Sequence, residues 1–146
     1  MKYIKGKNYQ VSKDEAVHVP FYIPREFSVA DGLVCTEFQP ILDSGMVYRK
    51  LHIKKGWTWD GASFFLFRWF GTPQRWITPS LYHDALYEAI RRGVIGRAYR
   101  KRIDLMFRDE LIKRGVHPWE AQIAYGCVRV GGNFAVRKDV IEREAA

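Results

Sequence analysis

Thr78-Pro79-Ser80-Leu81-Tyr82-His83-Asp84-Ala85-Leu86-Tyr87-Glu88-Ala89-Ile90-Arg91-Arg92-Gly93 is the stretch on which the fold turns. Leu81, Ala85 and Ala89 recur every four residues, and Leu86 and Ile90 widen the strip, so the segment predicts a helix with one apolar face. Thr78 can cap the first free amides and Pro79 suits the first helical position, which places the start there and the end at about Arg92, before Gly93. His83 and Asp84 lie one turn in. On such a helix His83 shares a face with Tyr87 and Ile90, and Asp84 shares one with Tyr87 and Glu88.

Downstream, the helical period continues. A second helix is predicted from about Arg97 to Arg114, with Tyr99, Ile103, Phe107 and Leu111 at helical spacing and Gly115 as its stop. Asp104 borders its apolar face, whereas Asp109 and Glu110 beside Arg108 and Lys113 read as solvated ion-pair partners. His117-Pro118-Trp119-Glu120 opens a third helix, with Ala121, Ala124, Tyr125 and Val128 inward and an end near Gly131-Gly132. Residues 135–146 form a charged tail, read as a short surface helix or a frayed end.

Upstream, the period shortens to two. Val17 to Ile23 is rich in β-branched and aromatic residues, and Pro20 directs it to a sheet edge. Leu33 to Phe38 follows the turn signal Asp31-Gly32. Met46 to Ile53 follows Asp43-Ser44-Gly45 and alternates, so the two runs predict an antiparallel hairpin. Trp57-Thr58-Trp59 then leads into Asp60-Gly61-Ala62-Ser63, and the almost wholly apolar Phe64 to Phe70 predicts a short buried helix before Gly71-Thr72-Pro73. Strands followed by helices indicate an α+β fold, an N-terminal antiparallel hairpin region packed with about three C-terminal helices. A length of 146 residues with no linker or repeat suits one domain, mainly strands over 1–56 and motif-bearing over 57–134.

With 47% hydrophobic and 27% charged residues the composition is that of a folded globular chain, not a disordered one. No run approaches the roughly 20 apolar residues that span a bilayer, and the N-terminal residues lack the apolar core of a signal peptide. These features predict a cytoplasmic protein with no membrane partner. Cys35 and Cys127 have no Cys-x-x-Cys spacing; two reduced thiols are expected, with a disulfide left open. The formal net charge is +8, and Arg91, Arg92, Arg97, Arg100, Lys101 and Arg102 form an acid-free concentration. That run is a candidate contact for phosphate, nucleic acid or an acidic partner, or else a solvated helix end. No zinc-finger spacing, RNA-recognition motif or phosphate loop accompanies it.

The polar chemistry gathers elsewhere. Asp60 sits between two apolar segments, where a carboxylate needs a partner, and an Asx turn with Ser63 capping the next helix satisfies that need structurally. An adjacent His83-Asp84 is the minimum of an HD-type metal site, yet His18, His52 and His117 stand in no ligand spacing to complete one. Asp104 on the second helix can receive a hydrogen bond from His83 or Tyr87 on the first, as a polar clasp or as part of an acid–base site.

Gly56, Asp60-Gly61-Ala62-Ser63, Leu81-Tyr82-His83-Asp84-Ala85-Leu86-Tyr87, Ile103-Asp104, Gly115-Val116 and Val128-Arg129-Val130-Gly131-Gly132 occur in an order that resembles the phage- and prophage-encoded "domain of unknown function 1353" family. The resemblance covers roughly residues 53–134. Trp59 stands where that family usually has Thr, and Phe64-Phe65 where it has a Val-Pro pair. It implies origin in a tailed phage or prophage and a shared constellation at Asp60, Ser63, His83, Asp84, Tyr87 and Asp104, but carries over no activity.

Two functions are consistent with these residues. In one, Asp60, His83, Asp84 and Asp104 converge on a water or a divalent metal ion as a hydrolase, its substrate unassigned. In the other, the chain is a non-catalytic virion, tail or assembly component, or an inhibitor of a host protein, and the cluster is structural. The partner is then a phage or host protein, in the host cytoplasm or the phage particle.

Overall fold

The computed structural model describes residues 2–4, 8–21, 23, 26–29, 34–40, 47–59 and 73–145. The fold is α+β, with antiparallel strands in the N-terminal part and three long helices in the C-terminal part. Contacts divide the chain into two compact units, Met1–Ser63 and Phe64–Ala146.

In the first unit, β3 (Glu15–Val19), β4 (Ser28–Val29), β5 (Val34–Pro40) and β6 (Val47–Ile53) form a four-stranded sheet in the order β3-β6-β5-β4. The predicted hairpin is present as β5 and β6, antiparallel from Val34 opposite Ile53 to Pro40 opposite Val47. Leu51 and Ile53 are buried while Lys50 and His52, which alternate with them, are not, so one face carries the core. Val34 and Thr36 join that face. The Val17 to Ile23 run is a strand only up to Val19, because Pro20 has no amide for the ladder; the edge position expected of it is observed.

β1 (Lys2–Ile4), β2 (Asn8–Gln10) and β7 (Thr58–Trp59) make a smaller sheet in the order β1-β2-β7. Trp57 and Trp59 are buried and stack with ring centroids 6.3 Å apart, and Tyr9 meets Trp59 at 5.5 Å. Asp60, Ser63 and the expected helix over Phe64 to Phe70 lie outside the described residues.

The second unit contains α1 (Gln74–Arg91), a 3₁₀ turn at Arg97–Tyr99, α2 (Arg100–Lys113) and α3 (Pro118–Ala145). α1 begins four residues before the expected Thr78-Pro79. Trp76 and Ile77 are buried, and their burial draws the extra turn into the helix with Pro79 inside it. Leu81, Ala85, Leu86 and Ala89 are fully buried, as their spacing required. Gly93 and Gly115 end α1 and α2 at φ of 70° and 84°, a conformation that a side chain disfavours.

α3 does not stop at Gly131-Gly132 but runs through both to Ala145, which corrects the expected boundary. Glu110 is another correction. It is buried rather than solvated, and it pairs with Lys113 at 2.8 Å, while Asp109 keeps the expected pair with Arg108.

A buried carboxylate network across three helices

Asp104 stands on α2 one residue after fully buried Ile103, and it too has no exposed surface. A carboxylate at that depth survives only if its oxygens are satisfied. The two neighbouring helices satisfy them. From α1, His83 Nε2 lies 2.8 Å from Oδ1, and the Tyr87 hydroxyl donates to the same oxygen at 2.6 Å. From α3, Arg129 Nη1 donates to Oδ2 at 2.8 Å. Four-residue spacing places His83 over Tyr87 on one helix face, with ring centroids 4.1 Å apart.

Arg100, one turn before Asp104 on α2, closes the network. Its Nε donates to the Tyr87 hydroxyl at 3.0 Å and lies 3.9 Å from Asp104 Oδ2. Its Nη2 donates to the backbone carbonyl of Arg129 and, at 3.4 Å, to that of Val128. This approach to α3 requires Gly132. A Cβ there would stand 2.6 Å from the Tyr87 hydroxyl and 3.0 Å from Arg100 Nε. Gly132, the second glycine of the pair that marks a helix end in the sequence, is therefore a helix-crossing site, whereas Gly131 is exposed with open space around it.

The charges inside the network hold one another. Burial disfavours charge on Asp104, but the hydrogen bonds from His83, Tyr87 and Arg129 outweigh it and bring the carboxyl below its ordinary value. Burial likewise disfavours protonated His83, but Asp104 and then Asp84 outweigh it and raise the imidazole. Burial first, and then the bond to Asp104, push the Tyr87 phenol up, so it stays a neutral donor. Asp84 is part-exposed, and its Oδ1 lies 3.7 Å from His83 Nδ1.

Of the residues expected to act together, His83, Asp84, Tyr87 and Asp104 are thus brought together. Asp60 and Ser63 are outside the described residues. Among the described residues no three His, Cys, Asp or Glu side chains are placed to hold a metal ion. Asp104 is enclosed by donors from α1 and α3, and the two guanidinium groups of Arg100 and Arg129 beside it disfavour a cation there. Arg129 was not among the sequence candidates, although its signal was present: a cation at inward spacing on a helix whose other inward residues are apolar.

The basic run is dispersed by the fold. Arg100 is consumed in the network, and Arg91 and Arg92 bracket Glu88 at 2.7 and 2.8 Å. Arg97, Lys101 and Arg102 remain exposed. Cys127 is a free, exposed thiol. No helix among the described residues is long and apolar enough to cross a membrane. No family model, curated protein or solved structure matches the chain.

Proposed function

We propose that this chain is a non-catalytic phage- or prophage-type component that works by contact with other proteins, in the host cytoplasm or the phage particle. In it the His83–Tyr87–Asp104–Arg129 cluster is a structural clasp. The observation that carries this reading is the complete engagement of Asp104: it has no exposed surface, and donors from α1 and α3 occupy both oxygens. A carboxylate so enclosed presents no exposed oxygen to a substrate, a water or an ion. The phage assignment rests on the motif resemblance.

Replacing Asp104 by Asn tests the clasp against replacing Asp84 by Asn. Removing one partner of a buried charge network costs about 3–5 kcal/mol, whereas a part-exposed carboxylate 3.7 Å from its partner costs under about 1 kcal/mol. Urea unfolding of the two variants reads the difference. Equal, small losses would refute the clasp.

A second reading is favoured by one specific feature. Because Nε2 of His83 is tied to buried Asp104, Nδ1 is the ring atom left facing part-exposed Asp84. A buried Asp that orients a His is the arrangement of acid–base sites, with Asp104 positioning and His83 transferring the proton. Under that reading the chain is a hydrolase, and His83→Gln abolishes turnover of a phosphoester or cell-wall substrate while Asp84→Asn changes its pH profile.

A further inference from the structure

The six cations from Arg91 to Arg102 are sorted by the fold into three kinds. Arg91 and Arg92 close α1, where the helix dipole favours a cation, and both hold Glu88. Arg100 turns inward to Tyr87. Arg97, Lys101 and Arg102 stay exposed, Arg97 in the 3₁₀ turn and the other two in the first turn of α2. A cation there opposes the dipole, and that turn has no acid to compensate. The acids of α2 are engaged elsewhere: Asp104 holds Arg129, Asp109 holds Arg108, and Glu110 holds Lys113. Among the described residues no ion pair reaches Arg97, Lys101 or Arg102. The connection that carries them is held in shape. The Gly93 amide donates to the Ile90 carbonyl and the Val94 amide to the Ala89 carbonyl, both at 2.9 Å, and Ile95 is buried.

We infer that Arg97, Lys101 and Arg102 contact the phosphate backbone of duplex DNA. Charge is the first reason: three cations without an acid partner, on a chain of net charge +8, suit a polyanion. Their surroundings are the second. The residues exposed between Arg92 and Lys101 besides Arg97 are Gly93, Gly96 and Ala98, and a Cβ built on Gly96 meets nothing within 4 Å. Small residues let a phosphate strand come close to the backbone. No large apolar side chain is exposed there to anchor a protein, whose interfaces have an apolar core and few lysines. Single strands are held by stacking on exposed aromatic rings, and Tyr99, the one aromatic residue of the run, is part-buried. The run has no Ser, Thr, Asn or Gln to recognise a ribose 2′-hydroxyl, which selects DNA over RNA. Farther along α2 the exposed side carries Asp109, so contact is confined to the helix end and to phosphates.

Three phosphates make a weak contact that is strongly dependent on salt. Each neutralised phosphate adds about −0.9 to the slope of log K against log salt, so a slope of about −3 is expected. The dissociation constant is then about 10–100 µM at about 50 mM salt. Contact with DNA at this end of the helix pair depends on neither functional reading of the clasp.

Fluorescence anisotropy of a labelled DNA duplex of about 20 base pairs, titrated with the full chain across a salt series, tests it. The native chain should bind two duplexes of unrelated sequence equally, with the slope given above. Arg97→Gln, Lys101→Gln and Arg102→Gln should each reduce that slope by about 1, and together abolish binding. All three side chains are exposed, so the helical circular dichroism is retained in the combined variant. Lys13→Gln, Lys55→Gln and Arg114→Gln together remove the same charge from exposed positions elsewhere and should leave binding in place. Absence of binding by the native chain at low salt overturns the inference. Equal losses in the two combined variants, or undiminished binding in the first, overturn it too, because net charge or another surface would then be responsible. An RNA duplex bound about 10-fold more tightly, or polyglutamate that displaces the DNA as readily as unlabelled duplex does, would overturn DNA as the occupant in favour of RNA or an acidic protein.

Discussion

Asp104 concentrates the physics of this protein into one side chain. An ionised carboxylate without exposed surface is costly, and here His83, Tyr87 and Arg129 offset the cost by bonding to it from two other helices. The pH dependence that follows has two opposed limbs. Asp104 is held below its ordinary value, so its contribution is present at neutral pH and is lost as pH falls through the lowered folded value, below about 4. His83 is raised, so its contribution is complete below about pH 6.5 and is lost as pH rises through the higher folded value. The clasp is therefore strongest between about pH 4 and 6.5. Urea midpoints measured from that window upward in pH should show the alkaline decline in the native chain and not in His83→Gln. An alkaline limb retained in His83→Gln would assign it to another group.

At the scale of elements, the helices were legible where burial and period agree. Leu81, Ala85 and Ala89 announce α1, and Gly93 and Gly115 end α1 and α2 as their position suggests. The start of α1 was misplaced because Thr78-Pro79 carries a strong local capping signal, and the packing of Trp76 and Ile77 overrides it. The end of α3 was misplaced for a related reason. Gly131-Gly132 reads as a stop, but Gly132 is a residue without a side chain where Tyr87 and Arg100 press on the helix backbone. Gly132→Ala should lower stability by about 1–3 kcal/mol because the hydroxyl and guanidinium must shift. Gly126→Ala, with open space around it, should instead raise stability by about 0.5–1 kcal/mol through helix propensity. Thermal melts at low protein concentration separate the two. Melting temperatures that move in the same direction would remove the crossing role from Gly132.

For the molecule as a whole, the order of periods in the sequence, two before Trp59 and about 3.6 after Gln74, was enough to give the α+β class and the hairpin of β5 with β6. The depth of Asp104 was not legible, since helical spacing places it only at the border of an apolar strip. Its burial depends on how α1 and α3 cross α2, which no local pattern encodes. Arg129 was hidden by the same limit: one inward cation among apolar neighbours acquires meaning only when the carboxylate it meets is known. If the network ties the helical unit together, its members must act as one in unfolding. A double-mutant cycle of Asp104→Asn and Arg129→Gln, read by urea unfolding of the helical signal, measures that directly. The clasp predicts that the double variant loses less than the sum of the two singles, by a coupling of about 1–3 kcal/mol. Losses that simply add would mean the two side chains do not hold α2 to α3, and would contradict the account.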